Sequence, residues 1–225
     1  MRMLLMALLF LPLAAGAQSP ETLFNLVSLN AQAEREIPND LLTAVLAAEA
    51  EGTDPAQLAD GVNRTMQRAL AGALAYKSVK AQSAGYQTTP VYDKNRVVRW
   101  RVRLELRLES ADFAAATELI GKLQANMVVA GLTLSVSGEA RHKAENALIA
   151  EALAAFEERA RVVRDAMKAK GYRVRDLQVS PGGAPPRPMY AMAARAVSSE
   201  SIAQPAVEPG STRILITVSG TIQLQ

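Results

Sequence analysis

The sequence predicts an α+β fold of mainly antiparallel sheet, with a ferredoxin-like βαββαβ core, a long C-terminal helix and additional strands. Three observations predict it. Several segments alternate apolar and polar residues with the two-residue period of a half-buried strand. Three others carry apolar stripes at helical spacing. Taken in order they read β-β-α-β-β-α-β-α-β-β, and the middle of that order, Leu41 to Val136, is the split βαβ pattern. The first strand, the long helix and the last two strands are then expected to form a second layer or lobe.

The elements follow in order. From Val27 to Ala33, residues Val27, Leu29, Ala31 and Ala33 alternate with Ser28, Asn30 and Gln32, a strand. Pro38-Asn39-Asp40 is a turn, and Leu41 to Ala48 is a more buried strand. Asp54-Pro55 opens a helix, the aspartate as cap and the proline in the first turn, where no N–H is needed. Its stripe is Leu58, Val62, Met66, Leu70 and Leu74, and the helix should end near Ala75. A strand from Val79 to Gln87 is followed by a less regular extended piece to Asp93, and Asp93-Lys94-Asn95 reads as a hairpin turn.

Val98 to Leu108 is the clearest strand. Val98, Trp100, Val102, Leu104, Leu106 and Leu108 line one face; Arg99, Arg101, Arg103, Glu105 and Arg107 line the other. Ser110 is the expected cap of a helix from Ala111 to about Gln124. A strand from Met127 to Val136 is interrupted by Gly131. The longest helix runs from about Ala140 to Lys170, with Gly171 where a helix C-terminal cap belongs. Tyr172 to Val179 alternates as a strand. Residues 181–209 hold six of the eleven prolines and read as a Pro/Gly-rich excursion. Ile214 to Leu224 alternates as the last strand.

The N-terminus is Met1-Arg2, an apolar run from Met3 to Leu13, then Ala15-Gly16-Ala17. A positive start, a run of this length and a small-residue ending make a secretory signal peptide over 1–17, cleaved after Ala17. The run is too short to span a bilayer. The mature chain is then 18–225, one domain in up to two lobes, with no transmembrane segment and a periplasmic destination. Of 25 Lys+Arg and 22 Asp+Glu, Arg2 leaves with the signal, so the net charge becomes 24 − 22 = +2. So even a balance does not call for nucleic acid.

The chain has no cysteine and one histidine. Disulfides, thiolate metal sites, cysteine nucleophiles and multi-histidine metal sites are excluded. No nucleotide-binding glycine motif and no nucleophile elbow is present. The inventory therefore points to no catalytic residue, no metal and no cofactor. Four side chains form the candidate ligand or partner surface: Arg99, Arg101, Arg103 and Arg107 could receive an anionic ligand, lipid headgroups or an acidic partner. The competing reading is a solvated face offset by Glu105 and Glu109. His142, with Glu139 and Glu145 near it in sequence, fits a surface helix position better than a general base. Met189, Tyr190 and Met192 in the excursion make a poor metal site. The carboxylate pairs Glu34/Glu36 and Glu49/Glu51 each share a strand face and read as solvated or interface charges.

These features together resemble one family. Pro38-Asn39-Asp40 stands where the SIMPL-domain family has a Pro-Asp after its first strand. Gln87-Thr88-Thr89-Pro90-Val91-Tyr92-Asp93 resembles its "T…Y" segment, and Trp100 stands near an aromatic, usually Tyr, that begins its next strand. Glu151-Ala152, Arg159-Ala160 and Gly171 resemble its alanine-rich helix, and Pro209-Gly210 its close. The inserted Asn39 and the Trp at position 100 are departures. The resemblance, to bacterial periplasmic YggE-like proteins, covers nearly all of the mature chain. It implies a domain of unknown function with no established catalytic residues. It also implies a link to envelope stress, including oxidative stress, and self-assembly into rings or channel-like forms. The expected function is therefore non-enzymatic: a periplasmic homo-oligomer, or a protein that binds an envelope partner. The alternative is a binding module that takes an anionic small ligand or envelope component on the arginine-lined strand.

Overall fold

The computed structural model describes residues 24–182 and 208–225. The predicted signal segment, most of the predicted excursion and its Met189, Tyr190 and Met192 lie outside the described residues. The described elements are β1 (Leu26–Pro38), β2 (Leu41–Gly52), α1 (Pro55–Ala73), β3 (Lys80–Asp93), β4 (Arg96–Ser110), α2 (Phe113–Leu123), β5 (Val128–Ser135), α3 (Gly138–Ala166), β6 (Tyr172–Gly182) and β7 (Ser211–Leu224). This is an α+β fold, and every strand pairing is antiparallel.

Two sheets form. One has four strands in the order β3-β4-β2-β5, the other three in the order β1-β7-β6. On the four-stranded sheet, α1 and α2 cover the face that carries Leu42, Ala44, Leu46, Val102, Leu106 and Leu108, all buried. On the three-stranded sheet, α3 lays Leu148, Ala152, Phe156 and Ala160 over Ile216, Val218 and Ile222. The two cores share no buried residue. Alanine at 144, 152 and 160 keeps α3 close to β1 and β7, so the helix lies over these strands and touches β6 little.

Local chemistry explains most boundaries. Asp54 caps α1 by accepting the amides of Ala56 and Gln57, with Pro55 in the first turn. That helix stops at Ala73, two residues earlier than the spacing predicts. The cap of α2 is Asp112, which accepts the amide of Ala115; Ser110 sits two residues earlier, its hydroxyl accepting the Asp112 N–H and donating to the Ser78 carbonyl. In α3, Ser137 is the cap and the helix ends at Ala166. The left-handed position that stops it is filled by Lys168 (φ 53°), not by Gly171. β3 is one strand through the expected irregular piece, and β6 takes in Pro181 and Gly182, because an edge strand tolerates proline. The Lys94-Asn95 turn has both residues at positive φ, 42° and 70°, the two-residue geometry that matches strand twist.

A polar junction joins the two sheets where β1 passes into β2. The Asn39 backbone N–H donates to the Gly210 carbonyl at 3.1 Å, its amide Nδ2 donates to the Pro209 carbonyl at 2.7 Å, and its Oδ1 accepts from Thr212 at 2.6 Å. Next to it, the Asp40 carboxylate accepts the Ser137 N–H at 2.5 Å and the Ser137 hydroxyl at 2.7 Å. The Ser137 N–H bond, at the start of α3, holds the Asp40 carboxyl below its ordinary value of 3.8. The inserted Asn39 thus has a structural task.

Candidate functional site

The strict alternation of β4 sends its arginines to the face of the four-stranded sheet that no helix covers. The antiparallel register then decides what they meet. Arg101 stands opposite Glu51, and Arg103 opposite Glu49. Arg101 Nε donates to Glu51 at 2.6 Å and lies 3.1 Å from Glu49. Arg103 reaches Glu49 at 3.2 Å and Glu105 at 3.0 Å. Arg107 Nε donates to Glu109 at 2.7 Å. The result is a continuous row, Glu51–Arg101–Glu49–Arg103–Glu105, with Arg107–Glu109 beside it.

Every arginine of this row is offset within it, with one carboxylate in excess. Three arginines meet four carboxylates. The hydrogen bond from Glu51 raises Arg101, and that from Glu105 raises Arg103, so both hold their protons more tightly. The side chains are about one-third to one-half exposed, so solvent screens these pairs. Ala47, on this same face and paired with Glu105 and Val128, is only 1% exposed.

Arg99 stands apart. It pairs across the ladder with Val91 and has no ion pair or hydrogen bond among the described residues. Opposite Trp100 the β2 strand ends at Gly52, so beyond that point β3 and β4 continue as a two-stranded arm. Of the four candidate arginines, the fold brings Arg101, Arg103 and Arg107 into one carboxylate-paired row and leaves Arg99 on the arm. The acceptors Glu49 and Glu51 were visible in the sequence as a same-face pair; their partners depended on the β2–β4 register.

The other candidates are on the surface. The His142 side chain is 79% exposed, 3.6 Å from Glu145. Glu34 and Glu36 face Arg213 of β7. Among the described residues no group of three His, Cys, Asp or Glu is placed to hold a metal, and no helix is long and apolar enough to cross a membrane. One cluster was not expected from the sequence: the Tyr76 hydroxyl donates to Glu118 at 2.8 Å and accepts from Lys122 at 2.6 Å. Lys122 also sits 5.2 Å from the Tyr76 ring centre. The shared hydrogen bond lowers Glu118 and raises Lys122. It fastens α2 to the end of α1, and its residues come from 42 to 46 positions apart.

Comparison with known proteins places these elements. Residues 27–222 match the SIMPL family, described as a protein of unknown function (DUF541). No curated protein matches the chain.

Proposed function

Because this chain belongs to the SIMPL family, we propose that it is an exported periplasmic protein that acts without catalysis, by assembling with copies of itself and binding in the cell envelope. Protection of the envelope against stress, including oxidative stress, is the role that this reading assigns to it. Support for assembly comes from β6. It is an edge strand of eleven residues. Its Val174 and Val179 stand opposite the buried Ile222 and Val218, on the side that α3 covers elsewhere. Yet Val174, Leu177 and Val179 remain 43%, 43% and 39% exposed, because α3 lies over the other two strands. A strand edge that has no neighbour among the described residues and carries an apolar margin is a site for a further strand.

Light scattering of the purified protein tests the proposal. The expected mass is a multiple of that of the processed chain, and Leu177→Lys with Val179→Lys should return it to the monomer. A strict monomer at micromolar concentration would overturn the assembly reading. Fractionation of cells tests the compartment: recovery in the periplasmic fraction is expected, and recovery with the cytoplasm contradicts it.

A further inference from the structure

We infer that the β3–β4 arm is a docking surface for an anionic lipid bilayer. The arm comprises Val91–Asp93, the Lys94-Asn95 turn and Arg96–Arg99. It extends roughly 13 Å beyond the end of β2, from four residues at the strand rise. Two kinds of side chain meet on it. Tyr92, Val97 and Val98 are 63%, 45% and 43% exposed, large apolar groups with no helix above them. Lys94, Arg96 and Arg99 are cations with no ion pair among the described residues.

The contrast with the rest of β4 carries the inference. Arg101, Arg103 and Arg107 each meet a carboxylate, so that stretch has no charge left to offer. Along the arm the only acid is Asp93, and three cations stand against it. Pairing places Tyr92 with Val97, Arg99 with Val91 and Arg96 with Asp93, with a bulge between the first two, so apolar and cationic side chains are interleaved along the arm. Such a ribbon can seat its exposed aromatic and aliphatic side chains in the headgroup boundary while the cations between them reach lipid phosphates. Charge complementarity therefore selects a negatively charged bilayer over a neutral one. The inference rests on the envelope placement proposed above only for where such a surface is met, and its test runs without that placement.

Trp100 is the only tryptophan of the chain and sits at the base of the arm, so it reports on the arm whatever other segments do. The full chain is mixed with phosphatidylglycerol vesicles whose acyl chains carry bromine. Quenching and a blue shift of Trp100 are expected, weakened by added salt and absent with phosphatidylcholine vesicles. Each cation near such a surface is worth roughly 5-fold in partitioning, so Lys94→Gln with Arg96→Gln and Arg99→Gln should weaken binding on the order of 100-fold. Tyr92→Ser with Val97→Ser should reduce quenching as well, whereas Arg107→Gln, whose charge is already matched by Glu109, should leave it unchanged. Unquenched Trp100, an equal response to both lipids, or quenching that survives the triple substitution would each overturn the inference. So would a blue shift on raising protein concentration without vesicles, which would place a second copy on the arm. The light-scattering result bears on assembly alone, so the two readings fail separately.

Discussion

Replacing Gly220 by alanine should destabilise the three-stranded sheet by about 3 kcal/mol, as an overpacking substitution with no flexible neighbour. Gly220 lies in β7, the central strand, opposite Leu177 of β6. A Cβ built there comes 2.4 Å from the Asp176 carbonyl oxygen and 3.3 Å from the Leu177 Cα. The ladder shifts register between Val174 and Asp176, and this bulge swings the β6 backbone over the glycine. Ordinary contact for such atoms is about 3.2–3.4 Å, so the β6 backbone must retreat by roughly 1 Å, beyond what its hydrogen bonds absorb. In an open strand position the same change would gain about 0.5 kcal/mol through a less flexible unfolded chain, so the sign itself is diagnostic. Urea unfolding measures the stability, and hydrogen exchange locates the loss, which should fall on the amides of β6. A variant as stable as the parent, or one whose exchange rises evenly over the molecule, would refute the close approach.

Further outcomes follow from the junction and the turn. Asp40→Ala should cost about 2 kcal/mol near neutral pH, since it frees the Ser137 amide and hydroxyl from a charged acceptor. The folded carboxyl lies below 3.8, so its contribution is complete above that value and is lost as pH falls through the folded one. Denaturation of Asp40→Asn beside the parent should therefore show a gap that closes below about pH 4; a constant gap would contradict it. Asn95→Gly, which relieves a side chain at φ 70°, should raise the melting temperature by about 1–2 °C, and a fall would mean that the asparagine side chain holds the turn.

The parts that the sequence disclosed are those decided within a few residues. The two-residue period of β4, the Asp54-Pro55 start of α1 and the Lys94-Asn95 turn each depend on local chemistry, and each is found where it was expected. Where two local solutions compete, distant contacts decide. Ser110 and Asp112 are both able caps for α2; Ser110 accepts the Asp112 N–H while donating to the Ser78 carbonyl, and Asp112 takes the helix amide of Ala115. Gly171 is the better residue for a left-handed position, yet Lys168 takes it, and Ala169 just beyond still packs on the α3 core. The arginine face was legible as a row of side chains. Its pairing with carboxylates was not, because Glu49 and Arg103 are 54 residues apart and meet only through strand register. The same holds for the Asn39–Thr212 bond, which spans 173 residues.

The four-stranded sheet and its two helices come from one uninterrupted stretch, Leu41–Ser135, whereas the other sheet is stitched from β1 before that stretch and β6 and β7 after it. This sets a timetable. A chain made from its N-terminus can complete the inner unit while β1 still lacks β7, its one partner among the described strands, which follows far later in the sequence. Closing so long a loop costs on the order of 5 kcal/mol in chain entropy, recovered only when β7 zips onto β1. Synthesis cut short after Ser135 would leave a finished half and an orphaned first strand. A quality-control protease that samples new chains would find β1 first.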